Sequence, residues 1–238
     1  MDKNSNLYTF IYASILVILV ALVLSFTAIT LSPMQQRNIE VEKKQNILTS
    51  VSIESSFENA EELFSNYIKE SFLVDVKGNK KSGDAFLTDL KKEMSKDLED
   101  RNFPVYIAEK DNKKNIIIPL LGKGLWGPLW GYISLEKDCN TIFGAVFDHK
   151  AETPGLGADI NKEWFEKPFT GKKLFDKKGN FISITVYKGG KGAAKIAGDL
   201  EHGVDAISGG TITSKGLEDM VKDCMKNYEE FLKKSKIN

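Results

Sequence analysis

Residues 104–147, PVYIAEKDNKKNIIIPLLGKGLWGPLWGYISLEKDCNTIFGAVF, carry the strongest strand signals of the chain. They contain four short runs rich in β-branched, apolar and aromatic residues: Val105–Ala108, Ile116–Leu121, Leu129–Leu135 and Thr141–Phe147. Such runs, joined by links of hairpin length, predict consecutive antiparallel strands. Because helical patterns lie on both sides of them along the chain, the sequence predicts an α+β fold in which a largely antiparallel sheet is flanked by helices.

Helical spacing dominates the chain before these strands. Two apolar stripes recur there: Ile53, Phe57, Ala60, Phe64, Tyr67 and Ile68, followed by Phe86, Leu90, Met94 and Leu98. Ser32 and Pro33 have the arrangement of an N-cap and a first helical residue, which predicts that a new helix begins there. After the strands, Asn180–Tyr187 alternates as a strand does, and an amphipathic helix is predicted from about Ser214.

The first part of the chain is a candidate membrane anchor. No charged residue occurs between Leu7 and Leu31, and a helix of this length crosses the roughly 30 Å hydrocarbon layer. A cleaved signal peptide has a shorter apolar core, of about 7–15 residues, so the pattern favours an uncleaved anchor over a signal peptide or a buried soluble helix. Lys3 on one side and Arg37, Lys43 and Lys44 on the other leave its orientation open.

Composition excludes some functions and leaves others open. Acidic and basic residues balance at 33 each, and Arg37 and Arg101 are the only arginines. Nucleic-acid binding is therefore not expected, because a basic field and bidentate guanidinium groups are both scarce. Cys139 and Cys224 are compatible with two thiols or one disulfide, and their spacing matches no metal motif. His149 and His202 lack the acidic or cysteine cluster that acid–base or metal chemistry needs.

The segment Asp205–Ser214, DAISGGTITS, predicts an anion site where a glycine turn enters the last helix. Gly209 and Gly210 let the backbone approach a phosphate, and the first N–H groups of a helix lack internal partners at the positive end of its dipole. Without further information, an ordinary turn and N-cap would explain the same residues. The segment is neither a Walker loop nor a dinucleotide-binding fingerprint.

This segment resembles the flavinylation motif of the FMN-binding domain family, Asp-x-x-Ser/Thr-Gly-Ala-Thr. Asp205, Ser208, Gly209 and Thr211 match it, whereas Gly210 stands where alanine is usual. The resemblance implies that Thr211 carries FMN through a phosphoester placed by a separate flavin transferase. Thr213 is the next candidate for the acceptor. The missing methyl group at position 210 is expected to loosen the loop without removing the hydroxyl.

A second resemblance to the same family covers His149–Gly157, HKAETPGLG. It implies that this stretch lies against the flavin, with Glu152 and Thr153 at the polar edge of the ring and Leu156 on its face. Pro154, Gly155 and Gly157 would shape the loop for close approach. Taken alone, the stretch would be a Pro-Gly turn with a solvated Glu152.

A third segment, Gly122–Tyr132, is similar to the Gly-x-Gly-Leu-Trp region of the NqrC family, which belongs to the sodium-translocating NADH:quinone reductase, and less similar to the RnfG family of the Rnf complex. Trp126 is a candidate to stack near the flavin, against the alternatives of a core or subunit-interface position. We divide the chain accordingly into a transmembrane anchor (1–32), a helical connecting region (33–103) and an FMN-binding domain (104–238).

The resemblance implies a single-pass protein of the bacterial inner membrane whose globular domain lies on the periplasmic face. Its partners would be the other subunits of the membrane reductase, the flavin transferase, and lipid around the N-terminal helix; nucleic acid is not a partner. The expected function is electron relay by FMN with no catalytic residue in this chain. An Rnf-type subunit and a flavin-free membrane scaffold are the alternatives.

Overall fold

The computed structural model describes residues 6–236, which form two compact units that divide after Lys43. The first helix, α1, runs over Asn6–Ser50 and contains Pro33. It is the one helix of the described chain that is long and apolar enough to cross a membrane. The prediction of a new helix beginning at Ser32 is wrong, because α1 continues through the proline. Proline removes one backbone hydrogen bond, and the many other hydrogen bonds of a helix of 45 residues outweigh this loss.

The second unit, Lys44–Asn238, is built on a six-stranded sheet. Its strands are β1 (Ile68–Val74), β2 (Lys80–Lys81), β3 (Phe103–Lys110), β4 (Lys113–Lys123), β5 (Pro128–Leu135) and β6 (Ile142–His149). They lie in the order β2-β1-β3-β4-β5-β6, and every neighbouring pair is antiparallel. The four predicted strands and the α+β fold class are therefore confirmed.

The prediction that residues 33–103 are helical is wrong in part. Helices α2 (Ala60–Tyr67) and α3 (Leu90–Met94) are short, and β1 and β2 belong to the sheet. Ile53 and Phe57 precede α2, Phe86 precedes α3, and Leu98 begins a 3₁₀ turn, Leu98–Asp100. The apolar spacing misleads here because the residues of β1 obtain their hydrogen bonds from β3, which lies far along the chain.

The remaining elements cover the two faces of the sheet. Helices α6 (Thr211–Asn227) and α7 (Glu229–Ser235) bury Leu217, Val221, Cys224, Met225, Tyr228 and Leu232, as predicted for the C-terminal helix. These side chains join the apolar core formed by Val105, Ile118, Leu120 and Ile133 on one face of the sheet. Ile47 and Leu48 pack with Tyr106, Ile117 and Tyr132, which alternate with the first set.

A smaller two-stranded parallel sheet pairs β7 (Thr185–Tyr187) with β8 (Gly203–Asp205). Of the predicted strand Asn180–Tyr187, only the last three residues are therefore in a strand, β7. Helices α4 (Glu163–Glu166) and α5 (Ala193–Ile196) lie in the connections around it. Cys139 and Cys224 are both free thiols, and burial raises the pKa of each to about 11. The question of a disulfide, left open by the sequence, is thus decided against one.

Candidate functional site

The glycine loop, Ala206–Gly210, connects β8 to the first residue of α6. Asp205, at the end of β8, accepts hydrogen bonds from the backbone N–H groups of Gly192 and Ala194, with N···O distances of 2.5 and 2.8 Å. Gly209 has a φ of +77°, and a Cβ there would lie 2.6 Å from Cδ2 of Leu156. The loop therefore takes a backbone shape that favours glycine and lies directly against the segment 149–157.

The hydroxyl groups of the loop and of the first helical turn differ in their surroundings. Thr213 and Ser214 are buried, and each donates a hydrogen bond: Thr213 to Oε2 of Glu152, and Ser214 to the carbonyl of Gly210. Ser208 is exposed, and Thr211 is partly exposed at the first position of α6. Within residues 6–236 the Thr211 hydroxyl makes no hydrogen bond, so it is available to a ligand.

A cavity of about 270 Å³ opens beside Thr211. It brings together three segments of the chain that the sequence had singled out: Leu125 and Trp126; Glu152, Thr153, Leu156 and Gly157; and Gly209–Thr213. Among the predicted site residues, Ser208 and Gly155 line a second, adjoining cavity of about 520 Å³. The structure thus places every predicted site residue on the lining of one of these two cavities.

Glu152 is buried, with 4% of its surface exposed. The backbone N–H of Trp126 donates to Oε1 of Glu152 at 2.8 Å, and Thr213 Oγ1 donates to Oε2. The interpretation of Glu152 as a solvated turn residue is therefore wrong. Sequence reasoning missed this role because the two donors are 26 and 61 residues distant along the chain.

Trp126 lies at the rim of the cavity with 64% of its surface exposed, so its alternative placement in the core is wrong. Three other apolar side chains share this rim: Leu125, Leu156 and Ile212 are 47%, 41% and 63% exposed. Apolar groups of this size, exposed together around an opening, are typical of a surface that binds a ligand or another protein.

Both histidines have structural partners. His149 Nδ1 accepts the backbone N–H of Glu152 at 3.2 Å, and His202 Nδ1 lies 2.6 Å from the carbonyl oxygen of Lys173. Among residues 6–236, no group of three or more His, Cys, Asp or Glu side chains is arranged to hold a metal ion.

Glu166 is a second buried carboxyl group that sequence reasoning missed. Its Oε1 accepts the backbone N–H of Phe147, on the edge strand β6, at 2.7 Å. Burial raises the pKa of Glu166 to about 7, and the nearby acidic groups Asp148 and Glu163 act in the same direction. Nothing in the sequence marks this residue, because the unpaired N–H it satisfies exists only once the sheet has formed.

The class of protein follows from the match of residues 124–226 to the family model of the FMN-binding domain. This range contains Trp126, the segment 149–157 and the whole glycine loop. The NqrC subunit of the Na(+)-translocating NADH-quinone reductase from Haemophilus ducreyi is 30% identical to this chain over 244 residues, which cover 93% of this chain and 90% of that protein. The chain belongs to this NqrC family, which confirms the resemblance found in the sequence.

Other comparisons agree. The corresponding subunit from Vibrio alginolyticus is 31% identical over 217 residues, an alignment that covers 83% of this chain and 82% of that protein. The crystal structure of the corresponding subunit from Parabacteroides distasonis is 45% identical, with a TM-score of 0.77 over 85% of this chain and 96% of that chain. NqrC from Shewanella oneidensis is 27% identical, with a TM-score of 0.69 over 84% and 98% of the two chains. The relatives are named as subunits of an oxidoreductase.

Proposed function

We propose that this chain is the electron-carrier subunit of a membrane Na⁺-translocating NADH:quinone oxidoreductase and relays electrons through FMN joined to Thr211 by a phosphoester. The observation that carries the proposal is the placement of the Thr211 hydroxyl: it begins α6, borders the 270 Å³ cavity and makes no hydrogen bond in the described chain.

The choice of acceptor among four hydroxyl groups is supported by their partners. Thr213 and Ser214 are buried, and both donate their hydroxyl protons to other groups. Ser208 lines the adjoining cavity and not the one that α6 faces. Thr211 alone combines exposure, freedom from internal hydrogen bonds and a place at the helix N-terminus, where the dipole favours a phosphate.

The charges of the cavity support a covalent link. Its lining residues include no lysine, arginine or histidine, and Glu152 is the charged one among them. A phosphate group held by charge alone would need cations as well as the N–H groups of a helix terminus. Because the cavity offers the N–H groups of the helix terminus but no cationic side chain, the phosphoester bond would be what retains FMN.

In this proposal the chain's own residues bind and orient the cofactor. FMN supplies the redox chemistry when bound. Leu125, Trp126, Leu156 and Ile212 surround the opening and would exclude water from the ring, with Trp126 free to stack on it. Thr153 offers a polar contact at the cavity wall. We assign no catalytic residue, so a separate flavin transferase would make the ester and other subunits would supply and accept the electrons.

The test is the intact mass of the protein produced with a flavin transferase. The wild-type chain should exceed its unmodified mass by one FMN ester and fluoresce in a denaturing gel, and Thr211→Ala should lose both signals. Ser208→Ala and Thr213→Ser are the matched controls and should keep them. A mass increment that survives Thr211→Ala would move the acceptor. A dark wild-type band would instead support a flavin-free scaffold.

The periplasmic placement of the globular unit is also a proposal, in which lipid surrounds Leu7–Leu31. Cys139 and Cys224 are buried, so a cysteine placed at Ile196, which is 88% exposed, would be the accessible thiol of the folded unit. In intact cells Ile196→Cys should react with a membrane-impermeant maleimide. If labelling requires broken cells, the globular unit lies on the cytoplasmic face.

A further inference from the structure

Glu152 lies buried on the wall of the cavity that Thr211 borders. A carboxylate that is 4% exposed normally pairs with a cation, because the desolvation of an unpaired ion costs several kcal/mol. Within residues 6–236, no ion pair reaches its oxygens; both of its hydrogen-bond donors, the Trp126 N–H and the Thr213 hydroxyl, are neutral. The charge is therefore held in the site without being neutralised by a side chain.

The backbone is shaped around this carboxylate. A Cβ at Gly124 would lie 2.5 Å from Oε1, and a Cβ at Gly157 would lie 2.7 Å from Oε2. Any side chain at either position would displace the carboxylate, so the two glycines make a cradle for it on both sides. Both oxygens accept hydrogen bonds, one from the Trp126 N–H and one from Thr213 Oγ1, so the carboxyl group is fixed in one orientation.

The same carboxylate lines the cavity that Thr211 borders. A ligand joined to Thr211 would therefore occupy the cavity that this carboxyl group lines, and charges this close interact appreciably at the effective dielectric constant of a protein site. The N-terminus of α6 offers partial positive charge nearby, but no lysine or arginine side chain lines the cavity.

We propose that Glu152 is a fixed negative charge that lowers the reduction potential of the flavin joined to Thr211; this inference rests on the proposed function. When two electrons and one proton are added to an oxidised flavin, the reduced ring gains one negative charge. A nearby carboxylate opposes that gain, so it shifts the equilibrium toward the oxidised form. Glu152 acts through its charge and exchanges neither protons nor electrons with the ring.

The test is the midpoint potential of the flavinylated full-length chain in detergent, measured by spectroelectrochemical titration. Glu152→Gln keeps an oxygen for the Trp126 N–H and removes the charge. We expect the equilibrium constant for reduction to rise by about tenfold or more, and a tenfold rise equals about 30 mV for a two-electron couple. Glu163→Gln, on the exposed side of α4, removes an equal charge outside the cavity and should leave the potential unchanged.

Glu152→Asp separates charge from geometry, because it keeps the charge on a shorter side chain. It should leave the potential well below that of Glu152→Gln. Equal potentials for wild type and Glu152→Gln, or equal shifts in the Gln and Asp variants, would overturn the inference. A wild-type chain without covalent flavin would instead overturn the proposed function.

If Glu152→Gln takes up no flavin, Leu125→Lys provides the test at an exposed position on the same cavity. A cation there would offset the charge of Glu152 and raise the potential, with Leu125→Met as the neutral match. No difference between these two variants would show that charge in the cavity does not govern the flavin, and the inference would fail.

Discussion

At the scale of single residues, the site depends on atoms that lie far apart along the chain. Glu152 joins the segment 149–157 to Trp126 and to Thr213, so one carboxyl group holds three separate pieces of chain in one arrangement. Gly124 and Gly157 lie so close to this carboxyl group that neither position has room for a methyl group.

Gly157→Ala tests this closeness. The new Cβ would lie 2.3 Å from Thr213 Oγ1, so we expect the free energy of unfolding to fall by about 1–3 kcal/mol and flavin incorporation to decrease. Gly127→Ala is the matched control, because its Cβ would meet the nearest side-chain atom, Lys150 Cβ, at an ordinary 3.4 Å. Chemical denaturation of both variants measures the difference. Equal stabilities would contradict the close packing around Glu152.

Glu166 predicts a dependence of stability on pH. Its pKa is raised in the folded state from an ordinary 4.5 to about 7, so the folded protein favours the protonated form. This contribution to the free energy of unfolding is complete below pH 4.5 and is lost as the pH rises through about 7. Allowing for partial exposure, we expect the loss to be about 1–2 kcal/mol.

Glu166→Gln keeps an oxygen for the Phe147 N–H and removes the titration. Urea denaturation at pH 4.5 and pH 8 should therefore show a smaller decline for this variant than for wild type. Glu163→Gln, at an exposed neighbouring position, should decline as wild type does. An unchanged decline in Glu166→Gln would assign the pH dependence to other groups.

At the scale of elements, helix α6 approaches the sheet very closely at its first turns. A Cβ at Gly216 would lie 2.4 Å from the carbonyl oxygen of Lys123, at the end of β4. The helix therefore passes the sheet at a distance that only glycine allows, and this brings Thr211 and Thr213 to the cavity wall.

We expect Gly216→Ala to destabilise the protein, although replacing glycine by alanine inside a helix usually stabilises it. In the middle of a helix the replacement normally stabilises by about 0.5–1 kcal/mol, but here the contact with a backbone oxygen should destabilise by about 1–3 kcal/mol. Lys222→Ala, at an exposed position of the same helix, should change stability by less than about 0.5 kcal/mol. A stabilised Gly216→Ala would show that α6 lies farther from β4 than described.

At the scale of the whole molecule, the end of α1 belongs to the globular unit and its apolar beginning does not. The division falls after Lys43, and Ile47 and Leu48 are fully buried in the second unit. The candidate membrane span and the first buried residues of the second unit thus belong to one continuous helix, in which the apolar run of residues 7–31 is followed by Ile47 and Leu48 in the core.

Two truncations distinguish the apolar beginning of α1 from its end, which is buried in the globular unit. A chain lacking residues 1–40, which keeps the buried Val41, should be soluble without detergent and should keep the melting temperature of the folded unit. A chain lacking residues 1–50 also loses the buried Ile47 and Leu48. By analogy with large-to-small substitutions in a core, its free energy of unfolding should fall by at least about 4 kcal/mol, and its melting temperature should fall with it. Equal melting temperatures would show that the end of α1 is not part of the core.

Elements whose signals are local could be predicted from the amino-acid sequence alone. Three such elements are the uncharged apolar run Leu7–Leu31, the four short β-branched and aromatic runs after Pro104, and the amphipathic C-terminal helix. The glycines and hydroxyls of Asp205–Ser214 predict an anion site at a helix start, and only the resemblance to the FMN-binding domain family singles out Thr211. Local propensity and hydrophobic pattern are sufficient for such elements, because the signal of each lies within its own residues.

Features that depend on distant partners became apparent only in the folded chain. Strand β1 forms because β3 supplies its hydrogen bonds, although it lies within the region 33–103 that was predicted to be helical. Glu152 changes from an apparent surface residue to the buried charge of the site because Trp126 and Thr213 fold onto it. The physical reason is the same in both cases: a polar group is placed by the partner that satisfies it, and that partner is fixed by the fold rather than by proximity along the chain.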